Sequence, residues 1–235
     1  MSRVKAPSTF ESVARQKLLE DILSGELAPG SRLKIRNLSE RYSIGATPLR
    51  EALSRLVPDG LVRVEQNKGF QVASLSLREL VELTEMRQIL EAEAFRRSVE
   101  RGDDGWESEV VASFHLLNKA IATYVDRSDS ARRLEFEARH RHFHVALVAA
   151  CGNTRLLHAV DALHRHLVRY RTIFQVTEIG AEELRFMHQE LMRIAIEKDA
   201  ESAASVMRRH VRVNVDQVKD GLRAKPELKA LIEID

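Results

Sequence analysis

The sequence predicts a mainly α protein in two parts, a small N-terminal unit of three helices closed by a β-hairpin and a larger C-terminal all-α antiparallel helical bundle. Three observations lead there. Apolar residues recur at helical intervals along most of the chain. The only strand-like runs fall between residues 61 and 73. From Ser76 to about Ala224, long amphipathic segments are separated by breaks of two to five residues, the pattern of antiparallel helices. A hydrophobic fraction of 44% with 31% charged residues over 235 positions suits a soluble globular chain with apolar surface enough for a core. The longest apolar candidate, Val145 to Cys151, is too short to span a membrane, and the N-terminus lacks the apolar stretch of a secretion signal. The single cysteine, Cys151, excludes a disulfide framework, suits a reducing cytoplasm and reads as a small buried hydrophobe.

Taken in order, Ser8 and Glu11 form a capping-box pattern ahead of Val13, Ala14, Leu18 and Ile22, with Gly25 as a stop and Pro29-Gly30 as a turn. A short helix is expected over about Ile35 to Tyr42. The brief link Ser43-Ile44-Gly45-Ala46 contains a glycine, and Thr47-Pro48 supplies an N-cap and a first-turn proline to a third helix. Leu49, Ala52, Leu53 and Leu56 form its buried stripe, which stops before Pro58. After Asp59-Gly60, the runs Leu61–Val64 and Phe70–Ala73 read as a hairpin around Asn67-Lys68-Gly69. Helix, helix, turn, helix, hairpin is the order of a winged helix-turn-helix, placed at residues 8–75. A second capping box, Ser76 and Glu79, opens helices expected over Leu77–Glu100, Gly105–Asp126, Asp129–Cys151, Thr154–Val176, Ala181–Glu197 and Ala200–Leu222. The bundle is placed at residues 77–224, and the residues from Lys225-Pro226 onward are expected to be a loosely held tail.

The net charge of +2 hides an imbalance: residues 1–76 hold 12 Lys and Arg against 8 Asp and Glu, and the remainder 25 against 27. A basic head on a slightly acidic body points weakly to nucleic acid. On the third helix, Arg50 and Ser54 face away from the buried stripe, with Glu51 and Arg55 on the flank. An arginine in the first turn after a tight link is placed to meet guanine O6 and N7 or a phosphate, and Thr47 at the cap would face a phosphate. Arg36 can reach the DNA backbone from the second helix, and Lys68 at the hairpin tip can enter the minor groove. Each alone reads more readily as a solvated surface group; all four on one predicted surface favour double-stranded DNA as the partner.

Five blocks carry a resemblance. Leu27-Ala28-Pro29-Gly30, Leu38-Ser39-Glu40-Arg41-Tyr42, Thr47-Pro48-Leu49-Arg50-Glu51-Ala52-Leu53, Asp59-Gly60-Leu61-Val62 and Gly69-Phe70 have the order and spacing of the GntR family of transcription regulators, which nearly all of residues 10–75 resemble. The resemblance implies that Arg36, Ala46, Thr47, Arg50, Lys68 and Gly69 occupy that family's DNA-contact positions. Relatives sometimes carry arginine or serine where this chain has Ala46, whose methyl can touch at most a thymine methyl.

In the helical part, His140 and His144 are four residues apart, so both rings leave one helical face and can share one ion. His188 and His210 lie on two later helices among apolar neighbours. From spacing alone the plainer reading is four separate, partly buried histidines, each bonded to a carbonyl. Glu137, three residues before His140, is a candidate extra ligand or hydrogen-bond acceptor. His142 is expected on the opposite face, and His115, His158, His164 and His166 fit no common set. Arg87, directed into a bundle, must find a carboxylate, either Glu91 at i+4 or a ligand's; Arg169 and Arg171 are weaker candidates of the same kind. Trp106 reads as core packing.

This part, with Arg87-Gln88-Ile89-Leu90-Glu91 on its first helix and the block Phe143-His144, Ala149-Ala150-Cys151-Gly152-Asn153 followed by His188 and His210, resembles the FCD branch of the same family, whose sensor domain is all-helical. Arg139-His140 and Cys151-Gly152 are similar to the subgroup linked to carbon starvation and glutarate use. In metal-binding members an Asp and a His four residues apart are joined by two later His, and this chain has His140 where that Asp is expected. The resemblance implies a metal site of His140, His144, His188 and His210, and it favours a ligand carboxylate for Arg87, with Arg169 as a further effector-binding candidate. Imidazoles suit transition metals and disfavour Mg²⁺ and Ca²⁺, so the expected cofactor is a divalent transition metal, Zn first and Ni second. Four neutral imidazoles leave the dication its full charge, which an anionic effector can offset.

The expectation is therefore a cytoplasmic, homodimeric repressor that reads a near-palindromic operator with half-sites about one helical turn apart. A small organic acid, a carboxylate bound near the metal, changes its operator affinity. Two rival classes are a metal-dependent enzyme built on the bundle, against which no HExxH and no evident general base is found, and a ligand-independent architectural DNA-binding protein.

Overall fold

The computed structural model describes residues 9–66, 68–123, 129–174, 180–224 and 232–233, and its first helix, α1 (Phe10–Ser24), begins where Thr9 Oγ1 accepts a hydrogen bond from the Ser12 amide at 3.1 Å. Ser8, the cap expected from sequence, lies outside the described residues. Helix α1 buries Ala14, Leu18 and Ile22, one residue per turn, and ends at Gly25, whose φ of 83° suits a residue without a Cβ. Strand β1 (Arg32–Leu33) follows, then α2 (Ile35–Tyr42) and α3 (Ala46–Leu56). In the link between these helices the left-handed residue is Ser43, with φ 56°, and not the glycine. Gly45 is extended and serves as the N-cap of α3 without a side-chain bond, so the helix starts one residue before the expected cap, Thr47. Pro48 still falls in the first turn, where a missing N–H removes no helical hydrogen bond, and the Leu49 N–H bonds back to the Gly45 carbonyl at 3.4 Å.

Strands β2 (Val62–Glu65) and β3 (Gly69–Val72) pair antiparallel from Val62↔Val72 to Glu65↔Gly69. β1 adds to the other side of β3, giving the order β1-β3-β2 in place of a bare hairpin. Two residues are too few for alternation to appear in a sequence, which is why this strand was not foreseen. Asn67 of the expected turn lies outside the described residues. Leu18, Leu38, Leu49, Leu53, Leu56 and Leu61 are buried together in this unit's core, each contributing roughly 1.5–3 kcal/mol by leaving water.

The chain divides between Leu75 and Ser76 into two compact units, and the second consists of helices. These are α4 (Leu77–Arg101), α5 (Asp104–Thr123), α6 (Ser130–Val148), α7 (Thr154–Phe174), α8 (Ala181–Ile196) and α9 (Ala200–Ala224). Half of the capping box at Ser76 forms, its hydroxyl accepting from the Glu79 amide at 3.2 Å, while its own N–H bonds to Tyr170 in place of Glu79; the Asp129 side chain likewise caps α6. Helix α4 lies along α9 and also against α7 and α6, while α5 packs on α6 and α8. Between α4 and α5, Gly102 leaves room for Trp106, since a Cβ there would lie 2.0 Å from its ring. That indole is core packing, as expected, and donates its Nε1–H to the Ala146 carbonyl at 2.8 Å. Cys151 is likewise fully buried with a free thiol. The breaks expected at Arg127-Ser128 and Glu178-Ile179, and the tail at Lys225-Pro226, lie outside the described residues.

The expectation of a loose tail fails at its end. The Glu233 carbonyl accepts the Leu77 N–H at 3.0 Å, bridging beside Ser76, and Ile232 is buried. On the other side of the same residue, the Tyr170 hydroxyl of α7 accepts the Ser76 N–H at 3.2 Å and donates to Glu79 Oε2 at 2.5 Å. Among the described residues no helix is long and apolar enough to cross a membrane.

Two positions on α4 test this packing. Phe95 is fully buried and Ile89 is 67% exposed. Phe95→Ala should destabilise the helical unit by about 3–5 kcal/mol, and Ile89→Ala by no more than about 0.5 kcal/mol, as read from urea denaturation; equal losses would contradict the placement of α4.

Candidate functional site

Two places carry chemistry, one in each unit. In the first unit the stripe Leu49, Ala52, Leu53 and Leu56 is fully buried, so the opposite face of α3 is free. Ala46, Thr47 and Arg50 are exposed on its first turn, where helix N–H groups lack partners and carry partial positive charge. Among the described residues Arg50 has no ion-pair partner, whereas Arg55 turns back to Glu11 at 3.1 Å. Arg36 is 88% exposed in its side chain and pairs with Glu40 at 3.2 Å, and Lys68 pairs with Glu65 at 3.2 Å beside the exposed Gly69, whose φ is 84°. Exposed pairs of this kind are worth about 0–1 kcal/mol, little enough for a phosphate to replace the carboxylate.

The second place lies inside the helical unit. His140 and His144 leave one face of α6, His188 comes from α8 and His210 from α9. Each offers one nitrogen, and the four atoms lie within 4.8 Å of one another. His140, His144 and His188 are buried, His210 partly so. Two tautomers are set by partners. His188 Nδ1–H donates to the Leu184 carbonyl at 2.6 Å, leaving Nε2 as a lone pair, buried and without a partner. His144 Nδ1–H donates to Glu91 Oε1 at 2.7 Å, again leaving Nε2 as the lone pair. That Nε2 stands 3.2 Å from His210 Nε2, close to the roughly 3.3 Å edge of a tetrahedron with metal–nitrogen bonds of about 2.0–2.1 Å. The donor set therefore fits a divalent transition metal, and the four histidines named from sequence do come together.

Electrostatics keeps these rings neutral and ready to ligate. Burial pushes the His140 and His210 imidazoles well below their usual range, aided by neighbouring histidines. Burial likewise lowers His144 to about 3, against the opposing pull of Glu91, and His188 to about 4.

Several readings change here. His164, which fits no set in the sequence, is fully buried on α7, with Nε2 3.1 Å from Glu91 Oε1 and 3.2 Å from Arg87 Nη2. Arg87 meets a protein carboxylate before any ligand's: Nε and Nη2 reach Glu91 Oε2 at 2.7 and 2.6 Å, and Nη1 is buried without a hydrogen-bond partner. Burial opposes ionisation of Glu91, but Arg87, His164 and His144 outweigh it and hold its carboxyl well below the usual range. Glu137 is no ligand in this arrangement, since Arg171 takes both of its oxygens, at 2.9 and 2.5 Å. Arg169 is fully buried on the same helix. His142 is exposed and faces Glu109 at 3.0 Å, as its position on the opposite face requires; His115 and His158 are also exposed. The signal that could have found His164 is its seven-residue spacing from Arg171, which puts both on one face of α7.

Each unit matches a known protein family. The model of bacterial regulatory proteins of the gntR family matches residues 11–72, and that of the FCD domain matches residues 82–213. The chain is 36% identical over 200 residues to the HTH-type transcriptional repressor GlaR of Escherichia coli (strain K12), covering 83% of this chain and 89% of that protein. It is 34% identical over 204 residues to the HTH-type transcriptional regulator BphR of Paraburkholderia xenovorans (strain LB400), covering 87% and 83%. The solved structure of E. coli McbR/YncC shares the fold, with a TM-score of 0.73 at 23% identity over 90% of this chain and 98% of that one.

His188→Ala removes a lone pair from the centre of the cluster and should weaken Zn²⁺ binding by about tenfold or more, measured by competition with a chromophoric chelator on tag-free protein. His142→Ala, on the exposed face, should leave it unchanged. Wild-type affinity in the His188 variant would rule out the four-histidine set.

Proposed function

The chain belongs to the gntR family of bacterial regulatory proteins, with an FCD domain behind its DNA-binding head, and is a DNA-binding transcription regulator; we propose that a small carboxylate bound in the helical interior, beside a divalent transition metal, sets how tightly it holds its operator. One observation carries this reading. Arg87 Nη1, His140 Nδ1, His164 Nδ1, His188 Nε2 and His210 Nδ1 are all buried without a hydrogen-bond partner, and all are nitrogens of one cluster. Leaving such groups unsatisfied costs about 1–3 kcal/mol each, so the interior is suited to a cation for the lone pairs and anionic oxygens for the N–H groups.

His140, His144, His188 and His210 would hold the metal, Zn²⁺ or Ni²⁺ by the softness of imidazole. When bound, the ion supplies a Lewis-acidic centre with no ligand charge to offset it, which favours an anionic effector. Arg87 and the buried Arg169 are the side chains we assign to the effector's carboxylate. In the head, Arg50 and Thr47 would read and grip the duplex, with Arg36, Lys68 and the Ala46 and Gly69 backbone beside them. The working form we infer is a cytoplasmic homodimeric repressor on a near-palindromic operator, two heads matching two half-sites. GlaR, named a transcriptional repressor, supports that sign of control. The effector acts only through its different affinity for two arrangements of the protein.

Two measurements test this. With an operator selected from random duplexes, Arg50→Ala should weaken specific binding by about 1–3 kcal/mol; undiminished affinity would mean α3 reads no bases. Zn²⁺-loaded protein screened against small carboxylic acids should give at least one that raises the melting temperature and shifts the operator Kd by about fivefold or more. A screen in which no carboxylate moves either quantity would sink the effector class.

A further inference from the structure

We propose that Glu91 is a positioning residue of the metal centre: its carboxylate, anchored by Arg87 and His164, holds the His144 ring with the Nε2 lone pair turned toward His210. The proposal rests on the reading of the four histidines as metal ligands and adds to it a carboxylate and an imidazole from outside the ligand set. Glu91 is fully buried on α4 and its two oxygens have different tasks. Oε2 receives both Arg87 contacts, at 2.7 and 2.6 Å. Oε1 is given over to imidazoles, accepting from His144 Nδ1–H at 2.7 Å and lying 3.1 Å from His164 Nε2.

The chemistry explains why this matters. A free imidazole favours the tautomer with its proton on Nε2, which in His144 would place a hydrogen between its ring and that of His210, 3.2 Å away. A carboxylate at Nδ1 reverses the preference, fixes the ring plane and makes Nε2 the better donor to a metal. Packing alone is a poor account of the same residues. A buried Arg–Glu pair can commonly be replaced by apolar side chains of similar volume without loss of stability, so a charge placed here points to a task other than cohesion. Glu137 shows the contrast within the same unit, both of its oxygens engaged by the single guanidinium of Arg171.

The test is a Zn²⁺ titration of the full chain against a chromophoric chelator, with ¹⁵N–¹H spectra of the imidazoles in the metal-free state. Wild type should show His144 protonated on Nδ1. Glu91→Gln should weaken Zn²⁺ binding by about 10- to 100-fold and shift His144 toward the Nε2–H tautomer. Because Glu91→Gln leaves Arg87 unpaired, the variant R87M/E91Q, which removes both charges together, decides the matter if the single variant does not fold by circular dichroism. H142A/E109Q, which deletes an exposed pair between the outer face of α6 and α5, should bind Zn²⁺ within about twofold of wild type. Unchanged affinity and tautomer in R87M/E91Q would overturn the positioning role while leaving the metal centre standing, as would an equal loss in H142A/E109Q. A wild type that takes up no Zn²⁺ would overturn both.

Discussion

A carboxylate shut away from water must have its lone pairs answered, and the helical unit is built around one such group. Glu91 sits where α4, α6 and α7 converge, with a guanidinium from its own helix and imidazoles from the other two. This requirement ties three helices to one point more narrowly than apolar contact does, because hydrogen bonds have a direction and a length whereas methyl groups tolerate sliding. The surrounding core of Phe95, Phe143, Leu147 and Leu191 then supplies cohesion without having to supply registration. The His144 ring is the link between the two polar groupings, one nitrogen on Glu91 and the other facing His210.

The head obeys a different economy. Its core is apolar, its polar groups lie outside, and the first turn of α3 presents Ala46, Thr47 and Arg50 on a rigid support. A surface meant for a polyanion needs cations held loosely, and the pairs Arg36–Glu40 and Lys68–Glu65 are both solvent-exposed. Among the described residues the buried ion pairs lie in the helical unit and those of the head are exposed, consistent with a regulator in which one part binds DNA and the other a small ligand.

Most of the helices were legible because their apolar residues recur with a 3.6-residue period over twenty or so positions, and Ser76 and Asp129 mark starts that the structure keeps. Less legible were features set by a single residue's backbone. Ser43 adopts the left-handed conformation in the link before α3, and Gly45 caps α3 through its backbone, so that Thr47, the expected cap, lies inside the helix. β1 was invisible because its only partner, β3, is some forty residues away in the chain. Within the interior, His140, His144, His188 and His210 could be grouped through one i, i+4 pair and a family resemblance. For His164 the sequence offered only its seven-residue spacing from Arg171, and it is the packing of α7 against α4 that brings it to Glu91. For Arg87 the sequence set Glu91 and a ligand carboxylate in competition, and proximity on the helix gives Glu91 the Nε and Nη2 of the guanidinium but not Nη1.

Ser76, the first residue after the head, is held from two directions. The Tyr170 hydroxyl bonds its N–H, and Glu233 bridges beside it, its carbonyl receiving the next amide. Tyr170 stands between Arg169 and Arg171 on α7. The start of α4 is thus anchored at once to α7 and to residues 232–233, and a change at either place reaches the same two amides.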